Sequence, residues 1–124
     1  MLNRSGVTNT TYTAPKQILA NVELQSSVGC VVAQAVGVTV GSKKIAKAGT
    51  PIVVDLMNLA TPATAAGAAD MTAVLLHDVD VTNGNANGTA LIFGFVNVNR
   101  VESDVATKIA AVTTNNSGVT FMKA

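Results

Sequence analysis

Short apolar runs separated by turn residues constrain the fold of this chain more than any other feature. Residues 36–40 alternate with a period of two, which places their three valines on one face of a strand. Residues 73–81 form a longer apolar stretch, and residues 82–88 carry Asn and Gly in a pattern typical of a tight turn. We predict that the two strands flanking this turn form a hairpin.

The remaining segments predict further strands and a single helix. Ser103 is a candidate N-cap, and Val105, Ile109 and Val112 fall on one helical face. Alternation along residues 89–98 predicts a strand that carries Leu91, Phe93, Phe95 and Asn97 on one face, where Gly94 indicates a bulge or a close approach. The other predicted strands lie in residues 18–40, 52–56 and 119–122, with turns at 41–44, 48–51 and 115–118 and a loop at 60–70.

These elements predict a mainly β fold, barrel-like or sandwich-like, with one short helix near residues 103–111. Residues 1–17 are polar, with Gly6 and Pro15 as breakers, and are expected to form an extended arm that orders on a partner. Residues 18–124 are expected to form the β-rich domain. No apolar stretch predicts a signal peptide or a membrane span.

The low charge of the chain favours contact with other proteins. Charged residues make up 12% of the chain and the net charge is +1, whereas about a quarter is typical of soluble domains. Binding to nucleic acid or to a membrane surface is not expected, because it requires clustered positive charge. The densest cluster, Lys43, Lys44 and Lys47, is expected to be a solvated loop or turn.

Residues with catalytic potential are few. Cys30 is the only cysteine and is expected to be a small buried hydrophobe. His77, Asp78 and Asp80 could bind a cation or act in acid–base chemistry, but His77 should face away from both carboxylates if the segment is a strand. We therefore expect no enzymatic activity, no metal and no cofactor.

Two runs carry a resemblance to a known family. They are Leu-Leu-His-Asp-Val-Asp-Val-Thr at residues 75–82 and Ala-Leu-Ile-Phe-Gly-Phe-Val-Asn at residues 90–97. Over residues 48–124 the chain resembles the head-decoration proteins of tailed bacteriophages, of the phage lambda type, and the head fibre proteins of siphophages. The resemblance does not extend to residues 18–47.

The resemblance implies a virion structural protein on the outer surface of the mature capsid. Such proteins form homotrimers at three-fold and quasi-three-fold positions and clamp the major capsid protein, so those two partners are expected. An N-terminal arm that pairs with a capsid strand is also implied. The expected capsid contact therefore consists of Asn9, Thr10, Thr11, Tyr12 and Thr13. The alternatives are a tail or fibre-base component and a small cation-binding or enzymatic β-module that uses His77, Asp78 and Asp80.

Overall fold

The fold is mainly β, as the sequence predicts. The computed structural model describes residues 17–20 and 24–123. One α-helix, α1, spans Ser103–Ala110, and two 3-10 helices lie at Gln34–Val36 and Val98–Arg100. The strands are β1 Ser26–Val32, β2 Val38–Val40, β3 Lys43–Ala46, β4 Pro51–Val53, β5 Thr64–Ala65, β6 Ala73–Leu75, β7 Val79–Asp80, β8 Ala86–Asn97 and β9 Gly118–Met122.

The larger sheet closes on itself, which makes it barrel-like. Its strand order is β1-β8-β6-β4-β5, and these neighbours are all antiparallel. A parallel bridge between Val32 and Ala63 then joins the two ends of that order. Two backbone hydrogen bonds form this seam, from the Ala33 N–H to the Ala63 carbonyl (3.0 Å) and from the Ala63 N–H to the Val31 carbonyl (2.7 Å).

β8 is the strand that the rest of the sheet shares. β1 and β6 pair with its first half on opposite edges, since both oppose Ala90 and Leu91. β9 runs parallel to its second half. Leu19 pairs with Val96 on the edge opposite β9, so residues 18–20 continue the line of β1 along β8. Strands from the beginning, middle and end of the described chain therefore meet on β8.

Two apolar clusters form on the two faces of the closed sheet. Ala73, Leu75 and Ala90 point into the first cluster, whereas Val74 and Leu91 point into the second. This alternation follows from the period of two along each strand. Because β6 is buried on both faces, its sequence is an uninterrupted apolar run, as is typical of a central strand.

A second, three-stranded sheet contains β2, β3 and β7 in that order. The predicted 73–81 strand is therefore wrong as a single element, because β6 ends at Leu75 and β7 joins this second sheet. The predicted pairing across the 82–88 turn is confirmed in part, since β6 and β8 are antiparallel neighbours, but β7 lies between them in the chain, so they do not form a simple hairpin. A ten-residue excursion, residues 76–85, separates the two strands that do pair.

Several local predictions are confirmed and others are shifted. The helix near 103–111 is confirmed, but its N-cap is Glu102 rather than Ser103. A bulge opposite Ser26 and Ser27 makes Ile92 an extra residue of β8, so Leu91 is buried while Phe93 on the far side is exposed. The single face predicted for Leu91 and Phe93 is therefore wrong.

Other differences concern the first half of the chain. Residues 34–36 form a 3-10 helix rather than strand, and β5 lies within the predicted 60–70 loop. β4 ends at Val53, earlier than the predicted 52–56 strand. The close approach expected at Gly94 is confirmed: its φ is 151°, and a Cβ there would lie 3.3 Å from the Leu24 carbonyl oxygen.

Candidate interaction surface

An ordered turn after β4 presents two apolar side chains to solvent. Asp55 accepts hydrogen bonds from the Met57 N–H through its carboxylate (3.0 Å) and from the Asn58 N–H through its carbonyl (3.0 Å). This geometry puts Leu56 and Met57 at the outer corners of the turn, where they are 50% and 95% exposed. Leu59 packs back against the first apolar cluster. We call residues 55–61 the Leu56–Met57 turn.

A second exposed apolar patch lies on the outer face of β8 and β9. Phe93 is 49% exposed, and its ring meets that of Phe95 edge to face, with the centroids 6.4 Å apart. Gly118 lies opposite Phe93 and leaves room for the ring, since a Cβ there would lie 3.1 Å from the Phe93 Cδ1. Met122 at the end of β9 is also exposed. Aromatic and Met side chains in such a patch are typical of protein contacts.

The edge at Leu19 is closed by side chains. The Ile18 carbonyl and the Ala20 N–H bond to β8, so the Leu19 backbone groups point away from it. The Gln17 Oε1 accepts from the Leu19 N–H at 2.8 Å, and the Arg100 guanidinium donates to the Leu19 carbonyl at 3.2 Å. Another strand could pair here only by displacing both side chains.

The edge at Val119 is closed in the same manner. The Val119 N–H donates to the Ser117 Oγ at 3.1 Å, and the Asn115 Nδ2 donates to the Val119 carbonyl at 2.7 Å. The Asn115 Oδ1 also accepts from the Ser117 N–H and hydroxyl. These interactions satisfy an edge residue locally, which prevents pairing with another chain.

The edge of β1 is open. Val31 and Ala33 bond towards Ala63 at the seam, so Ser27 and Gly29, four and two residues before Val31, point to the same edge. Within residues 17–20 and 24–123, nothing pairs with the N–H and carbonyl groups of Ser27 and Gly29 on that edge. A Cβ at Gly29 would meet no atom of the described residues within 4 Å. The strand therefore offers two residues for pairing.

A cleft lies beside this edge. Its volume is about 280 Å³, and it is lined by Gly29, Cys30, Val31, Leu59, Asn87 and Gly88. Cys30 is buried, as the sequence predicts, and burial raises the pKa of its thiol. A protonated thiol in an apolar setting behaves as a small hydrophobe rather than as a nucleophile.

The three residues proposed for cation binding have separate surroundings. The Asp78 carboxylate accepts from the Ala48 N–H at 2.7 Å, which ties the segment between β6 and β7 to the turn before β4. The Asp80 carboxylate accepts from the Thr82 N–H (2.9 Å) and hydroxyl (2.6 Å), and these bonds lower the pKa of Asp80. Among residues 17–20 and 24–123, the buried Nδ1 of His77 has no hydrogen-bond partner.

Two kinds of feature are absent from the described residues. In the part of the chain that the structure describes, no three His, Cys, Asp or Glu side chains are placed to hold a metal ion. Over the same residues, no helix has the length and apolar character needed to cross a membrane. The cation-binding alternative therefore has no cluster of three such ligands in those residues.

The lysine cluster does not form the predicted solvated loop. Lys43 and Lys44 belong to β3, and the Lys47 Nζ lies 3.1 Å from the Asp104 carboxylate at the start of α1. Desolvation raises the pKa of Asp104. The hydrogen bond and charge of Lys47 and the N–H groups of the first helical turn lower it, and together they outweigh the desolvation. The net result is an Asp104 pKa below its usual value.

The predicted capsid contact lies outside the described residues. All five precede Gln17, the first residue that the structure describes: Asn9, Thr10, Thr11, Tyr12 and Thr13. No family model, curated protein or solved structure matches this chain. The relation to phage head-decoration proteins therefore stays a prediction from the two sequence runs.

Sequence reasoning missed both the Leu56–Met57 turn and the state of the strand edges. The turn could have been predicted from Asp55 and Asn58. Asp and Asn side chains favour turns because they accept a hydrogen bond from the backbone N–H two residues later, as both do here. The edges could not, because the Arg100–Leu19 contact joins residues 81 positions apart.

Proposed function

We propose that this chain is a virion structural protein that binds the outside of a mature bacteriophage capsid as a homotrimer and stabilises the shell. The observation that carries the proposal is the display of large apolar side chains on hydrogen-bonded elements of a domain with little surface charge. Met57, at 95% exposure, is the clearest case. Its turn is fixed by backbone hydrogen bonds, so a partner can bind it without ordering a loose segment.

The low charge of the chain supports binding to an extended protein surface. Interface cores are depleted in Lys, Glu and Asp and enriched in Met and aromatic residues. Met57, Phe93 and Met122 supply that composition on two patches, and Leu56 adds apolar area to the first of them. A molecule with several such patches can contact neighbouring copies and neighbouring shell subunits at once, and simultaneous contacts raise the total affinity.

The direct test adds purified protein to mature capsids from a phage deleted for this gene. We expect co-sedimentation with the capsids, extra density at three-fold and quasi-three-fold positions by electron microscopy, and greater resistance of the heads to heat. Density on the tail would favour the tail or fibre-base alternative. A protein that binds no part of the particle would overturn the proposal.

A variant pair tests the Leu56–Met57 turn as the capsid-binding surface. The double substitution Leu56→Ser and Met57→Ser should weaken capsid binding about tenfold or more, because truncating an anchor at the centre of an interface costs about 2 kcal/mol or more. Val40→Ser is the matched control, since Val40 is also an exposed apolar residue but lies on β2 in the other sheet. Equal binding by both variants would remove this turn from the interface.

A further inference from the structure

The three strand edges around β8 differ in whether they can accept another strand. The Leu19 and Val119 edges have their outward groups occupied by the chain's own side chains. The β1 edge presents the N–H and carbonyl groups of Ser27 and Gly29, with no partner among the described residues. Open edges are sites of strand addition, and folded proteins usually block them. The open edge is therefore a candidate binding site.

The surroundings of the β1 edge suit an incoming strand. Gly29 leaves space at the edge, since a Cβ there would lie within 4 Å of no atom in residues 17–20 and 24–123. The adjoining cleft of about 280 Å³, lined in part by Cys30, Val31 and Leu59, can receive an apolar side chain. Strand addition by this mode takes its affinity from backbone hydrogen bonds and its specificity from such pockets.

The chain itself contains a segment of suitable length and composition. Residues 1–16 precede the described part, and fully extended they would reach about 50 Å. Residues 7–13 are Val-Thr-Asn-Thr-Thr-Tyr-Thr, in which Val, Thr and Tyr have high β propensity. The segment carries Lys16 and Arg4 but no acidic residue, and the cleft is lined by uncharged residues, so no like-charge repulsion opposes its docking.

The point where this segment joins the domain disfavours pairing within the same molecule. It joins at Gln17 and Ile18, at the end of β8 remote from Ser27 and Gly29. To return to those residues along its own chain, it would pass the Leu19 edge, which Gln17 and Arg100 occupy. A neighbouring molecule offers the same open edge without that obstacle.

We propose that residues 1–16 of a second copy of this chain add a strand to the open edge of β1. Each copy donates one segment and accepts one, so the contact is head-to-tail and closes into a ring when the rotation permits. The inference rests on the self-association in the proposed function and not on the capsid. It reassigns Asn9, Thr10, Thr11, Tyr12 and Thr13 from the capsid to the neighbouring copy in the free protein.

The first test measures self-association by analytical ultracentrifugation over a range of concentrations. Gly29→Pro removes the outward N–H and places a ring on the edge, while the ladder to β8, which uses the alternate residues, is kept. We expect it to weaken association at least about tenfold, as the loss of one or two hydrogen bonds would. Gly29→Ala keeps the N–H and should associate like the wild type. Deletion of residues 1–16 should match Gly29→Pro, with circular dichroism as the check on folding.

The second test locates the donated strand by disulfide cross-linking in a Cys30→Ala background. One chain carries Ser27→Cys, and the other carries a single cysteine at each of residues 7–13 in turn. Mixed samples should give interchain disulfides at alternate positions, because side chains of a strand face one side with a period of two. A chain carrying both cysteines that gives only an intrachain disulfide would overturn the assignment to a second copy.

The outcomes separate this inference from the proposed function. Self-association that survives both Gly29→Pro and the deletion would overturn the inference and leave the homotrimer in place. Normal association together with lost capsid binding in Gly29→Pro would mean that a shell strand occupies the edge, which also overturns it. A wild-type protein that stays monomeric at all concentrations would overturn the inference and the proposed homotrimer together.

Discussion

Three strand edges of the same sheet differ in whether side chains bond to their outward backbone groups. The edges at Leu19 and Val119 are closed in this way, and the edge of β1 is open. The first two are closed by Gln17, Arg100, Asn115 and Ser117. On the edge of β1, the outward backbone groups of Ser27 and Gly29 have no partner among the described residues, and a cleft lies beside them. The comparison shows that this chain can block an edge with ordinary polar side chains. The open edge of β1 is therefore a selective feature of the fold rather than a general property of its edges.

Alanine substitutions at two glycines of the β1–β8 ladder should give the largest difference in the free energy of unfolding. Gly29 on β1 pairs with Thr89, the residue next to Gly88 on β8. A Cβ at Gly88 would lie 2.8 Å from the Val32 Cγ2 and 2.9 Å from the Val79 Cγ2, whereas Gly29 has open space. Gly88→Ala should lower the free energy of unfolding by about 1–3 kcal/mol through overpacking. Gly29→Ala should raise it by about 0.5 kcal/mol, because the unfolded chain loses entropy. Urea unfolding measures both.

The sign of the Gly29 result decides whether the edge is open in solution. A loss of stability in Gly29→Ala comparable with that in Gly88→Ala would mean that something already packs on β1. The measurement should be made at low protein concentration, where self-association contributes least to the free energy of unfolding.

The closed edge at Val119 gives an intermediate effect. Asn115→Ala removes the bond to the Val119 carbonyl and the two bonds from Ser117, and should cost about 2 kcal/mol. Asn116→Ala is the control, because its side chain makes one bond, to the Ala69 carbonyl at 3.2 Å, and should cost about 1 kcal/mol or less. Thermal or urea unfolding reports the difference. Light scattering should also show more association for Asn115→Ala if the cap blocks pairing.

The smallest expected effect is a dependence of stability on pH. It should distinguish the side chains that close the edges from the Lys47–Asp104 ion pair, whose carboxylate titrates. Gln17, Asn115 and Ser117 do not titrate, so their contribution should not change between pH 7 and pH 3. Asp104 has a pKa below its ordinary value of 3.8, so its pairing with Lys47 stabilises the fold above that pH and is lost as the pH falls through the folded-state pKa. Asp104→Asn should therefore cost under 1 kcal/mol at pH 6.

The prediction for Asp104 can be contradicted by a single measurement of stability against pH. The stability difference between wild type and Asp104→Asn should shrink as the pH is lowered below 3.8. A difference that stays constant over that range would mean that the carboxylate charge contributes nothing. Measurements in high salt should reduce the difference at pH 6, because the pair is partly exposed.

Local patterns of the sequence predicted the elements that depend on near neighbours. The helix near 103–111 follows from the spacing of Val105 and Ile109, and both residues are buried. β9 and most of β8 follow from their alternation and from the Asn and Gly residues before them. The mainly β fold is likewise confirmed.

The features that were missed depend on contacts between distant residues. The 73–81 run contains no Gly or Pro, yet it breaks after Leu75 because Asp78 bonds to the Ala48 N–H and β7 joins β3. β3 itself was missed because two of its four residues are lysines, which have low β propensity. The seam and the edge caps were missed for the same reason, since a pattern read along the chain does not reveal which distant side chain reaches a given carbonyl.

The position of β8 sets the order in which this domain can fold during synthesis. β1 is made early, but its ladder partner starts at Ala86, so β1 leaves the ribosome well before it can pair. β9 then completes the second half of β8 only when residues 118–122 have emerged. Such distant pairings make folding slow, because the intervening chain must be closed first.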